Sequence, residues 1–196
     1  MRTFLIWTGG LLLGVLLGAG SALAVLGSGG RFGNEQVGQW TYNRLAGSNA
    51  ADLYTRAIVA RVGLLALSQR ETIYFNLNRD ELGHPLRAAC RYSLTGGALP
   101  ARWWSITLYA ADHYLARNSD NAHSIDASRV GAGGDGAWTA YAGPTRDAAR
   151  NWISTRGAGD GFSLTLRLYN PDDQAREQAH ELTLPSLRAV TCEDGQ

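Results

Sequence analysis

The residues with the strongest claim to chemistry are aromatic and cationic. Trp103, Trp104, Tyr109, Arg167 and Tyr169 fall in two short runs, Trp103 to Tyr109 and Phe162 to Tyr169, with the composition of strands. Arginine presents a rigid fork of donors suited to a carboxylate. If the two runs are neighbours, Trp104, Tyr109, Arg167 and Tyr169 make a face for a small or carbohydrate-like ligand. Adjacent residues on a strand point to opposite sides, so one of Trp103 and Trp104 fills the core while the other lines an outer surface. Arg167 falls opposite Leu166 and Leu168. The competing reading makes it a structural arginine that satisfies backbone carbonyls or an internal aspartate.

Other chemistries find less support. His84, His113 and His123 form no H-x-H or H-x-x-x-H pair, so they read as surface histidines, and neither metal nor cofactor is expected. His180 lies in a polar segment and reads as exposed. Ser105 lacks the G-x-S-x-G context of a nucleophile elbow. Gly157 to Gly161 precedes a strand rather than opening a helix, so it reads as a hairpin connection and not a phosphate loop. Asp112, Asp120, Asp126 and Asp135 lack EF-hand spacing and read as solvated loop carboxylates. All 18 basic residues are arginine, which excludes Schiff-base chemistry, a P-loop lysine and a serine-lysine dyad within this chain. With 18 basic against 17 acidic residues and no basic stripe, nucleic acid is not an expected partner. No catalytic set emerges, and enzymatic activity stays open.

The elements that must carry these residues begin with an apolar segment. Thr3 to Gly30 holds no charged side chain, and the 23 residues from Phe4 to Leu26 exceed the ~20 needed to cross a bilayer. Two readings compete: a retained anchor, or a signal peptide cleaved after Ala24 at Ala22-Leu23-Ala24. Arg2 keeps the N-terminus cytoplasmic, which makes the chain a single-pass protein of the inner (cytoplasmic) membrane with its C-terminal domain periplasmic. Gly10, Gly14 and Gly18 recur every four residues and offer a smooth stripe to a neighbouring helix. Cys90 and Cys192 are the only cysteines, and an oxidising compartment lets them pair; the alternative is two buried thiols.

Three segments result: a membrane segment 1–27, a linker 28–47 and a β-sandwich domain 48–196. Ser48 or Asn49 caps a helix through about Leu67, with Leu53, Ala57, Ala60 and Leu64 on one stripe. Ile73, Phe75 and Leu77 then alternate with Thr72, Tyr74 and Asn76 as a strand, and Leu86 to Thr95 reads as its hairpin partner. Further strands are expected at Trp103 to Tyr109, Tyr114 to Arg117, His123 to Ile125, Ala137 to Ala142, Phe162 to Tyr169 and Glu181 to Val190. A helical turn is expected within Asp173 to Ala179. The fold class is mainly β, a jelly-roll-like sandwich preceded by one helix and the transmembrane helix.

Arg91-Tyr92-Ser93, Leu99-Pro100 and Trp103-Trp104-Ser105-Ile106-Thr107-Leu108-Tyr109 are followed by Asn118, Asn121, Ser124, Asn151-Trp152 and Arg167-Leu168-Tyr169-Asn170-Pro171. That order resembles the bacterial domain-of-unknown-function family 1214, in which a W-S-x-T-x-Y-D pattern precedes an R-L-Y-x-P strand. The resemblance covers about Tyr74 to Val190 and implies a jelly-roll-like sandwich. Ala110 stands where the family commonly has aspartate, and His113 replaces a usual glycine. The family commonly forms the C-terminal half of a protein whose other half is domain of unknown function 1254. The resemblance therefore implies a separate chain carrying the missing N-terminal domain. The resulting expectation is a membrane-tethered periplasmic module that binds or assembles with another envelope protein. The alternative is an envelope enzyme or ligand-binding domain using the aromatic and arginine face.

Overall fold

The computed structural model describes residues 2–27, 34–48, 50–61, 67–131, 133, 136–146 and 151–192. Helix α1, Arg2–Gly27, contains the stretch Ile6–Ala24, which is long and apolar enough to cross a membrane and is nowhere buried against the rest of the chain.

Among the described residues ten strands, numbered in chain order, form two sheets. One has six strands: β1 (Asn34–Val37), β2 (Trp40–Asn43), β3 (Thr72–Leu77), β5 (Ala101–Ala110), β6 (Ser124–Asp126) and β9 (Phe162–Pro171), in the order β1-β2-β3-β9-β5-β6. The other has four: β4 (Cys90–Gly96), β7 (Trp138–Gly143), β8 (Trp152–Ser154) and β10 (Ser186–Cys192), in the order β10-β4-β7-β8. Every pairing is antiparallel except β7 with β8.

Period-two alternation decides what each sheet buries. In β9, Phe162, Leu164, Leu166 and Leu168 turn inward, beside Ile73, Phe75 and Leu77 of β3 and Trp104, Ile106 and Leu108 of β5. The small sheet answers with Tyr92, Leu94, Trp138, Ala140, Ala142 and Leu187. Each large apolar side chain so buried contributes roughly 1.5–3 kcal/mol. The expected mainly β sandwich is therefore the observed one.

Several local expectations are corrected. The segment read as linker 28–47 carries β1 and β2, whose Val37, Trp40 and Tyr42 lie in the core. Residues 28–33 lie outside the described residues. Strands β3 and β4 are not a hairpin: β3 pairs with β2 and β9, whereas β4 pairs with β10 and β7 in the other sheet. The turn between them closes only locally, at the Arg79–Pro85 bridge.

Helix α2 spans Leu53–Arg61 and is capped by Asp52, whose Oδ1 accepts from the Tyr54 and Thr55 amides at 2.8 and 3.0 Å. Its buried face carries Thr55, while Leu53, Ala57 and Ala60 of the expected stripe are exposed. Asn49, 62–66 and Asp135 lie outside the described residues. Tyr114 to Arg117 is loop, not strand. Gly157 to Gly161 is likewise no hairpin, because it carries the chain from β8 in one sheet to β9 in the other. Gly157 has φ of +73°, and a Cβ there would meet the Arg117 carbonyl oxygen at 2.3 Å, so only glycine fits that passage.

Strand β10 ends the fold. Its Cys192 stands opposite Cys90 in the β4 register, and the two are joined as a disulfide with Cα atoms 4.0 Å apart. On its other side the Gln39 amide donates to the Leu187 carbonyl (2.8 Å) and accepts from its N–H (2.7 Å), imitating a further strand. The Glu81 carboxylate accepts from the Ala189 amide at 3.0 Å. An edge that would otherwise offer free ladder groups is thereby closed.

Candidate functional site

The alternation that fills the core also sets out the opposite, outer face of the six-stranded sheet. Residues paired across it form rows: Thr72, Tyr169 and Trp103; then Tyr74, Arg167, Ser105 and Asp126; then Asn76, Thr165, Thr107 and Ser124. Tyr109 follows beside Ser163. Although it is polar, this face is far from fully open. Thr72, Tyr74, Ser105, Asp126 and Thr165 are buried, and Arg167, Tyr109, Trp103 and Tyr169 are half-buried.

Arg167 lies at the centre, on β9 between β3 and β5. Its Nη2 donates to the Tyr109 hydroxyl oxygen at 2.7 Å. Its guanidinium carbon lies 5.8 Å from the Tyr74 ring centroid and 5.4 Å from that of Tyr109, so two aromatic rings hold the cation through their quadrupoles. No ion pair involves Arg167 among the described residues. The carboxylate on its row, Asp126, is engaged by Arg129 Nε at 3.2 Å and by the Ser128 and Arg129 amides at 3.0 and 3.2 Å. The reading of Arg167 as the partner of an internal aspartate therefore finds no support.

One row along, Trp103 and Tyr169 face each other with ring centroids 5.2 Å apart, and Trp103 Nε1 donates to the Ser128 hydroxyl at 2.9 Å. Beside Tyr169 on that row, the Thr72 hydroxyl is buried with no hydrogen-bond partner among the described residues.

Of the expected ligand set, the fold brings together Tyr109, Arg167 and Tyr169. Trp104 is the correction: it points into the core, 6% exposed, and stacks on Trp138. Trp103 takes its place on the outer face. Tyr74 was absent from the expected set, although its alternation with Ile73 and Phe75 placed it opposite the core; what the alternation lacks is that β9 is the neighbour of β3. Ser105 lies on the outer face and donates to no histidine base among the described residues.

Elsewhere the candidates separate. His84 lies beside Asp80 (3.6 Å) in an exposed turn, and the described residues hold no cluster of three metal-ligating side chains. At the β6 edge a cavity of ≈ 300 Å³ includes Asp120, but that carboxylate is already held by Arg156 at 2.7 Å and by the Ser154 hydroxyl at 2.6 Å. Gly10, Gly14 and Gly18 lie on α1 with open space where a Cβ would stand.

The family model described as "Protein of unknown function (DUF1214)" matches residues 71–173, from the residue before β3 into the short helix α3 (Asp173–Glu177). No curated protein matches the chain. Among solved structures, the VPA0106 protein from Vibrio parahaemolyticus aligns with a TM-score of 0.59 at 24% identity, over 72% of this chain and 36% of that one. An uncharacterised protein from Burkholderia cenocepacia aligns at 17% identity with a TM-score of 0.47, over 61% of this chain and 29% of that one. The chain thus spans little more than a third of the length of the Vibrio protein whose fold it shares.

Proposed function

Since the chain belongs to the DUF1214 family of proteins of unknown function, we propose that its role is binding: a membrane-tethered module of the cell envelope that takes a ligand on the outer face of its six-stranded sheet. Helix α1 is the tether, Arg2 holds the N-terminus in the cytoplasm, and the domain stands on the periplasmic side of the inner membrane. The Cys90–Cys192 disulfide favours that oxidising side. The observation that carries the reading is Arg167, a half-buried cation set between Tyr74 and Tyr109 with no carboxylate of its own among the described residues.

Hydroxyl-radical labelling, with the modified residues read by mass spectrometry, tests this without knowledge of the ligand. Trp103, Tyr109 and Tyr169 are expected to be protected in native membranes and labelled once the protein is purified. Equal labelling in both preparations would contradict it.

A second reading is assembly with another envelope protein, favoured by the open space beside Gly10, Gly14 and Gly18 on α1. The Gly10, Gly14 and Gly18 stripe would then be the contact between membrane helices. Crosslinking in membranes tests it: a defined heteromeric product, weakened by Gly14→Leu, is expected. Recovery of a lone monomer from both wild type and variant would contradict it.

A further inference from the structure

We infer that the cavity at the edge of the sandwich is a binding site of its own, apart from the outer face of the six-stranded sheet, and that it takes a single acidic sugar, a hydroxylated ring bearing one carboxylate. Strand β6 ends the six-stranded sheet and β8 ends the four-stranded one. The Ser154 amide donates to the Ala122 carbonyl at 2.8 Å and joins the two edges. Ala122 also lines the cavity of ≈ 300 Å³ that opens there. Ligand sites run from about 300 to 1,000 Å³, so this one suits a single ring and not a chain of sugars.

Charge selects the acid. Among the described residues in and beside the cavity, Arg129, Arg146 and Arg156 stand against two carboxylates. Both oxygens of Asp120 are engaged, one by Arg156 at 2.7 Å and the other by the Ser154 hydroxyl at 2.6 Å. Asp126 is held by Arg129 Nε at 3.2 Å and by two backbone amides. Arg146 lines the cavity and makes no ion pair or hydrogen bond among the described residues. One positive charge is left over on a planar fork of donors, and its match is one carboxylate. Arg129 commits its Nε to Asp126 and lines the same cavity, so a second guanidinium stands by. A phosphate brings nearly two charges, more than this surplus. An amino acid would need a carboxylate for its ammonium, and both are taken.

Burial ranks the rest of the lining. Ile125 and Trp152 are buried and give the inner end an apolar surface. The Trp152 indole is fixed by its Nε1 bond to the Gly143 carbonyl at 3.0 Å and by the Arg156 guanidinium carbon 5.5 Å from its ring centroid, so that surface is formed before a ligand arrives. Ser124 and Asn151 are half-buried, and Asn121 is exposed at the mouth with Arg129 and Arg146. The side chains of Ser124 and Asn121 make no hydrogen bond among the described residues, and Asn151 spends only its Nδ2, on the Thr139 carbonyl at 2.9 Å. A hydroxyl and two amides so placed can donate and accept, as the hydroxyls of a sugar do. The apolar inner surface matches the C–H face of its ring. The carboxylate then points outward, toward the arginines.

The test is calorimetric titration of the full chain in lipid nanodiscs with glucuronate, glucose, acetate and glucose 6-phosphate. Glucuronate is expected to bind at least about tenfold more tightly than glucose, as the gain of one charged hydrogen-bonded pair implies, and more tightly than acetate, which has no ring. Arg146→Gln should abolish the preference for glucuronate over glucose at an unchanged melting midpoint, because the side chain is exposed and unpartnered. Ser124→Ala should weaken both sugars alike and leave their ratio in place. Equal binding of glucuronate and glucose, tighter binding of glucose 6-phosphate than of glucuronate, wild-type binding by Arg146→Gln, or failure of all four probes would overturn the inference. Arg167→Gln tells the two sites apart: the preference for glucuronate is expected to persist in it, and its loss there would put the sugar on the outer face and overturn the inference as well. Radical labelling of Trp103, Tyr109 and Tyr169 reports on the outer face alone, so either reading can fail without the other.

Discussion

Trp104 and Trp138 stack across the core with ring centroids 4.8 Å apart and planes 24° from parallel. The contact joins the two sheets, since Trp104 belongs to β5 and Trp138 to β7. It also decides the outer face, because with Trp104 inside, Trp103, Tyr109 and the paired Arg167 must be outside. Trp104→Ala should therefore cost about 3–5 kcal/mol of unfolding free energy, whereas Trp103→Ala should cost no more than about 1 kcal/mol. Chemical denaturation of the two variants checks this, and equal losses would mean the faces are assigned wrongly.

Gly96 is the backbone counterpart of that stack. It pairs with Trp138, and a Cβ at Gly96 would stand 2.4 Å from Trp138 Cζ2. The indole cannot easily retreat, since its Nε1 donates to the Gly97 carbonyl at 3.0 Å. Gly96→Ala is expected to lose about 1–3 kcal/mol by overpacking. A thermal melt with an unchanged midpoint would show that the ring moves freely.

The clamps on β10 predict separable local effects. Glu81→Ala should speed hydrogen exchange at the Ala189 amide and leave Leu187 as it was, because Gln39 holds the latter. Gln39→Ala should do the reverse. Residue-resolved exchange that changes the whole strand in either variant would show that the two bonds act as one.

Alkaline pH should destabilise the domain. Burial raises the phenol pKa of Tyr92 and of Tyr42 above the ordinary value. The unfolded chain then gives up these protons at a pH where the folded one keeps them. Stability is full below the ordinary phenol value of about 10 and falls as pH rises through it. Tyr92→Phe removes one titrating phenol and should make the fall shallower, at the cost of the bond its oxygen accepts from the Arg87 amide at 2.9 Å. Denaturation midpoints between pH 8 and 11 check the slope, and identical slopes would exclude Tyr92 as a contributor.

Much of the outer face was legible because a strand's period is fixed. Phe162, Leu164, Leu166 and Leu168 place Arg167 and Tyr169 opposite the core in the sequence itself, and β9 does so. The alternation could not say which of Trp103 and Trp104 turns inward, since that depends on Trp138, 34 residues beyond Trp104. Sheet partners were illegible for a similar reason. The strand at Thr72–Leu77 pairs with one that begins at Phe162, not with its near neighbour at Cys90–Gly96. Strands β1, β2 and β8 have four, four and three residues, too few for a period to stand out. The disulfide pairing was available because two cysteines allow one bridge.

The central claim is that the Arg167 face is occupied where the protein works. Its most direct measurement is radical labelling of Trp103, Tyr109 and Tyr169 in native membranes, wild type beside Arg167→Gln. Protection of all three in the wild type, and labelling at the purified protein's rate in the variant, is the predicted result. Labelling that is the same in wild type and variant would contradict it.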